Sequence, residues 1–361
     1  MPIFKTIKFT NPTQTEFVKT LRKRVDSYFK ENGITKTGGL KIKIKAVFML
    51  CLYTAPYFLM LFGVISNAWL LLAMCILMGF GMAGIGLSVM HDANHGSFSR
   101  KDWLNKFAGF SINFLGGNVN NWKAQHNIMH HSFTNIHGYD EDIETGNILR
   151  LSPHSEKKWF HKLQFLYAWP LYGLMTLSWT FAKDFSDVYR YKRKGLLKQL
   201  KTTLKKEMTL IVVTRVIYFI YIVLVPLLIM EISWWQLIIG FLTVHFVAGL
   251  TLALIFQLAH VMEETSFPTP VKGSIKNQWA VHQLETTLNF ANKNRVLSWL
   301  IGGLNFQIEH HLFPNISHIH YRKIAPIIEA TAIEFNLPYY KQDNFRSAIF
   351  SHARLLYRLG K

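Results

Sequence analysis

Cysteine is scarce. The 361 residues contain two, Cys51 and Cys75, both in one hydrophobic block. That excludes a disulfide framework and zinc-finger spacing. Acidic residues are also few, 21 against 40 Lys and Arg, for a net charge of +19. Such a balance raises nucleic acid as a partner, but no nucleic-acid motif accompanies it, and none is expected. Basic residues beside apolar segments set topology and meet anionic headgroups. Between Ala46 and Met90 there is no charged side chain at all. The first 45 residues are polar and basic and lack the apolar core of a cleavable signal peptide. Internal repeats and low-complexity tracts are missing too.

What is present is hydrophobicity. Half of the residues are hydrophobic and mean hydropathy is slightly positive, a membrane-protein profile. A span needs about 20 apolar residues, so the uncharged stretch is long enough for two, broken near Ile65–Trp69. A second block divides at Glu231–Trp235, where a charge and two tryptophans suit an interface. Four spans are predicted, at about 46–65, 69–90, 208–230 and 235–259, the first serving as insertion signal. The short turns at 65–69 and 231–235 hold no Lys or Arg. The positive-inside rule therefore puts both termini and the 91–207 segment in the cytoplasm. The expected fold class is an all-α integral membrane protein, with four transmembrane helices in two hairpins and a cytoplasmic helical cap (91–207 and 261–340). Residues 1–45 read as a cytoplasmic arm, 46–340 as the membrane domain, and 341–361 as a basic tail. The apolar stretch 165–181 is long enough for a fifth span, but Pro170 and its basic flanks suit an interfacial helix equally well, and a pair of spans or none, the latter expected, keeps the histidines on one side. A lone span there would separate the histidine groups described next.

The chain has 16 histidines, and three tight groups stand out. These are HDANH (His91, His95), HNIMHH (His126, His130, His131) and QIEHH (Gln307, His310, His311). On an α-helix, residues four apart share a face, which fits His91 with His95 and His126 with His130. His131 then points about 100° away and is free for a second metal. His260 falls at the end of the fourth span. The topology brings all of these to one membrane–cytoplasm boundary. Imidazole suits iron, copper, nickel and zinc, and eight or so exceed the four ligands of one zinc. Two metal ions are expected. The Glu-x-x-His motif of soluble di-iron bundles is missing from these groups. A nitrogen-rich di-iron site at a membrane face suits oxygen activation on lipids, because unactivated C–H bonds are left to metals and cofactors. Other histidines are expected to be structural or solvated: His137, His154, His161 and His352 in solvent, His245 as a packing residue, and His318 and His320 outside the metal set. For His282 both readings stay open.

At these residues the chain resembles the membrane fatty-acid desaturases. Gln307 in place of a first histidine, within GGLNFQIEHHLFP (Gly302 to Pro314), is the form found in front-end desaturases, and QLETT (Gln283 to Thr287) is similar too. The likeness runs from about Ser88 to Tyr340 and points to bacterial linoleoyl-CoA-type and acyl-lipid delta-6 or delta-5 members. It implies a di-iron centre that uses O2 and two electrons to leave a cis double bond in an acyl-CoA or acyl-lipid chain. The implied ligands are His91, His95, His126, His130, His131, His260, Gln307, His310 and His311. Asp92 and Glu309 are implied as groups that orient imidazole N–H, with a plain surface charge the other reading of Glu309. Residues 1–45 hold no histidine, so no fused cytochrome b5 and no haem are expected. Electrons then come from a separate ferredoxin or cytochrome b5, docked by the basic face, and the implied location is the bacterial inner membrane. Two other functions fit parts of the pattern. A lipid hydroxylase or alkane monooxygenase would share the metal centre. A metal transporter would need polar groups at the bilayer midplane, where the predicted spans have almost none.

Overall fold

The structure is a computed structural model that describes residues 6–361. Among the described residues, four helices are long and apolar enough to cross a membrane: Gly39–Leu61, Ala68–Asn94, Leu204–Ile229 and Trp234–His260. Each overlaps its predicted span and is longer at the histidine end, while the first stops at Leu61 and the third at Ile229, short of the predicted 65 and 230. The first begins seven residues before Ala46, because Lys41, Lys43 and Lys45 extend the helix by two turns rather than ending it. The second runs past Met90 to carry His91 in its last turn, and His260 is the final residue of the fourth. Side chains close the starts of these helices. Asn67 Oδ1 accepts from the N–H groups of Trp69 and Leu70 (3.0 and 3.2 Å). Ser233 and Gln236 form a reciprocal capping box, which satisfies donors that a helix start otherwise leaves bare.

Small residues let these helices approach one another, as is common where lipid supplies no hydrophobic drive between them. A Cβ on Gly81 would stand 2.6 Å from the backbone nitrogen of Tyr53 on the first helix. One on Gly79 would meet Val247 and the carbonyl of Val244 on the fourth. The second helix thus sits between the first and the fourth. At most 44% of the apolar window of any of the four is buried within the protein. Much of the rest, including Phe58, Trp69, Val216, Leu228 and Trp234 on these helices, is exposed apolar surface that needs lipid around it.

The second helix does not stay α-helical. Residues Ile85–Met90 form a π-helical segment just before His91, and Lys123–His130 form another around the second histidine group. In the latter the N–H of His131 bonds the carbonyl of His126, an i→i+5 closure. The stretch 165–181, expected as an interfacial helix, is broken into Gln164–Gly173, Met175–Ser178 and a π turn at Trp179–Lys183. It is too short anywhere to be a span. It packs on the fourth helix, where Gly249 lies against the Gly173 carbonyl and Thr176 Oγ1 donates to the carbonyl of His245.

The expectation of an all-α chain needs one amendment. Among the described residues two short parallel strand pairs occur, Lys8–Phe9 with Ser274–Ile275 and Leu288–Phe290 with Tyr340–Gln342. Both tie the ends of the chain to the middle. The helix Thr15–Glu31 buries Phe17, Leu21, Val25 and Phe29, spaced by four, against Leu312, Ile316, Tyr321 and Ile324. The last helix, Phe345–Gly360, buries Ala348, His352 and Leu356. The N-terminal arm and the C-terminal tail are therefore packed parts of the body. Gly81→Ala should destabilise the detergent-solubilised protein by about 1–3 kcal/mol, since backbone must move to admit the methyl. Gly86→Ala, which meets only the flexible end of Leu252, should leave its thermal midpoint nearly unchanged.

Candidate metal centre

The three histidine groups and His260 meet in one place. One nitrogen from each of His91, His95, His126 and His310 lies within 4.8 Å of the others, and a second set is formed by His130, His260 and His311. His131 sits between the two, grouped with His310 and His311. Its Nε2 is 2.9 Å from His310 Nε2 and 3.2 Å from His126 Nε2. The rings are buried, except that His95 is half-buried.

This partition differs from the helical-face expectation. His126 and His130 lie together with Asp142, as their spacing predicts, but each also joins a different set: His126 joins His91, His95 and His310, while His130 joins His260 and His311. The cause is the π segment. Its wider turn sends residues four and five after His126 to either side of that ring, so His130 (ring centroids 5.4 Å apart) and His131 (4.7 Å) both face inward. On an α-helix, adjacent residues would diverge by about 100°.

The outward nitrogens are held by polar partners. His130 Nδ1 is 3.1 Å from both Asp140 oxygens and 3.4 Å from Asp142. His311 Nδ1 bonds Gln283 Oε1 at 2.8 Å, His310 Nδ1 bonds the Tyr321 hydroxyl at 3.1 Å, and His260 Nδ1 faces the Thr286 carbonyl at 3.2 Å. Such partners fix ring orientation and tautomer and raise ligand basicity. Four of the inward nitrogens have no protein partner, and the others meet only one another. His95, His130, His260 and His311 each leave Nε2 buried and unpaired, and both amide atoms of Gln307 are in the same state. An unsatisfied buried polar atom costs about 1–3 kcal/mol, so a cluster of them is a cradle for something that accepts nitrogen lone pairs. The all-imidazole donor set and its division into two groups fit two transition-metal ions.

Electrostatics agree with that use. Burial, then the neighbouring imidazoles, push His95, His126, His131, His310 and His311 well below the usual histidine range. These rings are neutral and able to ligate. His130 is the exception: burial opposes its charge, but the Asp140 and Asp142 carboxylates outweigh burial and hold it up at about 9.

The two acids read from the boxes make their hydrogen bonds elsewhere. Asp92 Oδ1 faces His91 Nδ1 at 3.9 Å, too far for a hydrogen bond. Its Oδ2 instead accepts from Ser317 Oγ (2.7 Å) and the N–H of His318, and lies 3.0 Å from His318 Nδ1. Glu309 is fully buried, which rules out a surface charge, and accepts from Asn289 Nδ2 (2.9 Å) and the Tyr339 hydroxyl (2.7 Å). Burial lifts it to about 7 against those two bonds. The carboxylates that do touch a clustered ring, Asp140 and Asp142, lie in the acidic run after the second group, visible in the sequence but given no role there. Among the other histidines, His245 packs as expected, between Tyr218 (2.7 Å) and Thr176 (3.0 Å). His161 and His352 are buried rather than solvated, each with both ring nitrogens engaged. His318 stays outside the cluster, with Lys45 Nζ 2.8 Å from its Nε2.

A cavity of about 400 Å³ opens beside the cluster, with His126 and Asp142 in its wall. Its lining is mainly apolar and includes Trp122, Leu149, Tyr172, Met175, Trp179 and Phe256. The metal cradle thus borders a greasy slot. The fatty acid desaturase family profile matches residues 67–343. The chain belongs to the fatty acid desaturase family. Over 360 residues it is 34% identical to an sn-1 linoleoyl-lipid 6-desaturase of Synechocystis sp., covering 98% of each chain. A protein of the same name from Arthrospira platensis is 30% identical over 355 residues, 98% of this chain and 95% of its own. An acyl-lipid (8-3)-desaturase of Physcomitrium patens is 33% identical over 357 residues, 98% of this chain and 74% of its own. The chain is therefore an oxidoreductase that desaturates fatty-acyl groups, and with its four apolar helices it is an integral membrane protein.

Two measurements follow. Ligation needs a neutral ring, and His130 keeps its proton below about 9. Iron uptake by metal-free desaturase should therefore tighten as pH rises from 6 towards 9. Asp140→Asn should flatten that rise and weaken iron binding about 10- to 100-fold, read by chelator competition. For Gln307, replacement by Leu should lower iron content or turnover if the amide faces a metal. Unchanged values in both would remove it from the ligand set.

Proposed function

We propose that this desaturase inserts a cis double bond on the carboxyl side of an existing one, at the delta-6 or delta-5 position of a glycerolipid-bound acyl chain. The observation that carries this reading is the apolar cavity with His126 in its wall, set beside a two-part imidazole cradle. The lipid carrier is supported by the names of the full-length relatives, two of them linoleoyl-lipid 6-desaturases. The two irons would be held by His91, His95, His126 and His310 on one side and His130, His260 and His311 on the other, with His131 between them and Gln307 near its own box. When bound, they supply the one-electron O2 chemistry that an unactivated C–H bond requires.

The chain's own residues do the rest. Trp122 and Phe256 flank the slot and exclude water. Trp122 also stacks on His126 with ring centroids 4.5 Å apart, which fixes the wall the acyl chain would slide along. Asp140, Gln283 and Tyr321 hold their imidazoles so that the inner nitrogens need no reorganisation when metal arrives. Electrons would come from a separate ferredoxin or cytochrome b5, steered by the positive net charge. The four spans are read as two hairpins under a cytoplasmic cap in the bacterial inner membrane, with both termini on the cap side. Residues 46–340 would form the desaturase domain, on which 1–45 and 341–361 pack.

The test is a fatty-acid profile with double-bond mapping in a desaturase-free host that expresses the chain, is fed linoleate and contains a ferredoxin or cytochrome b5. A new double bond between the existing one and the carboxyl group is expected, and it should vanish in His310→Ala. A hydroxylated product, or no product from iron-loaded protein with both donors present, would overturn the reading.

A further inference from the structure

The apolar slot adjoins a polar hollow, with which it shares Glu141, Glu144, Ser178 and Lys183, and we take this shared wall as its mouth. Of the lysines and arginines among the described residues, only Lys183 lines the slot itself. Its Nζ donates to Gln125 Oε1 at 2.5 Å and to Asp187 Oδ2 at 2.7 Å. An ammonium has three N–H donors, so one is left over, on a side chain that is 28% exposed. Gln125 is the residue before His126, and its Nε2 donates to Asp142 Oδ1 at 2.6 Å. Asp142 in turn lies 3.4 Å from His130. A cation with a spare donor is thus tied by two side chains to the metal cradle, at the point where a chain would enter.

An acyl chain has one strong acceptor at its head, the carbonyl oxygen of its ester or thioester. A smooth apolar slot resists sliding by one methylene only weakly. A fixed charged donor at the mouth would stop the slide. Resting on the front-end reading above, we propose that Lys183, oriented by Gln125, holds the acyl carbonyl and so sets the position of the double bond as a count from the carboxyl end. The carbonyl is common to glycerolipid and CoA carriers. Beyond it, the hollow balances Lys183, Arg190 and Lys194 with Glu141, Glu144 and Asp187. Lys183 is not needed to hold Asp187, which keeps Arg190 at 2.7 Å and Tyr191 at 3.3 Å.

The experiment compares wild type, Lys183→Met and Lys183→Arg in reconstituted vesicles, with linoleoyl glycerolipid in one arm and linoleoyl-CoA in the other. Iron content, KM, kcat and double-bond position are read for each. Lys183→Met should keep its iron and raise KM by about tenfold or more on whichever carrier the wild type uses, with a smaller change in kcat. Its double bond should spread over neighbouring positions, and Lys183→Arg should restore one position. If Lys183→Met loses iron, Lys183→Gln, which keeps a neutral donor, takes its place with the same expected scatter. A KM within twofold of wild type and a single unchanged position would refute the ruler while leaving the desaturase reading intact. Absence of a front-end product from wild type with both carriers would refute that reading, and the ruler with it.

Discussion

The constraint on which everything else depends is the burial of imidazole nitrogens with nothing from the protein to bond them. A ring has two nitrogens, and a buried neutral one needs a donor and an acceptor. In His130, His311 and His260 the outer nitrogen is satisfied, by Asp140, Gln283 and the Thr286 carbonyl, and the inner one is left bare. The arrangement is costly for the metal-free chain and favourable once lone pairs are taken up. Folding and metal binding are coupled in such sites. The rings come from the second long helix, the segment after it, the end of the fourth helix and a six-residue helix at Gln307–Leu312. Losing any one of these would expose the rest.

The body around the rings is built to stop them moving apart. Asn135, with a positive φ of 58°, gives its N–H to Asp140 and its side-chain amide to the carbonyl of His260, both at 2.8 Å. It thereby ties the second histidine group to the end of the fourth helix. Ser317 performs the same service elsewhere. Its hydroxyl holds Asp92 beside His91, and its N–H bonds the Lys36 carbonyl just before the first helix. The N-terminal helix then covers the third group through Phe17 and Phe29. Apolar packing surrounds the centre and polar stitches run through it, and both are contributed by segments far apart in the chain.

Much of this was legible in the sequence because it depends on periodicity and composition. An uncharged run from Ala46 to Met90 has few fates, and three histidine groups announce a metal by number alone. What escaped depends on context. Lys45 reads as a solvated flank, yet it is buried on His318, because a long stem can carry its charge to a buried partner. His161 and His352 look like loop histidines, and tertiary contacts bury both. Asp140 and Asp142 lie in an acidic run whose composition suggests solvent, and only the fold turns two of its members toward His130. Asp92 and Glu309 were the reverse case, since adjacency to a ligand in sequence does not set where a carboxylate points. The inward turn of both His130 and His131 was out of reach for another reason: spacing arguments assume a turn of 3.6 residues, and this turn is wider.

That wider turn bears on what this chain can tolerate over evolutionary time. A π segment behaves as one extra residue held inside a helix. Remove one residue between Lys123 and His130, and the strand of backbone can relax into an ordinary helix, turning every later side chain by about 100°. Substitutions there alter one side chain, whereas a change of length would redirect His131 and all that follows it. The same holds for Ile85–Met90 ahead of His91. In these two short stretches the number of residues is under stricter control than their identity.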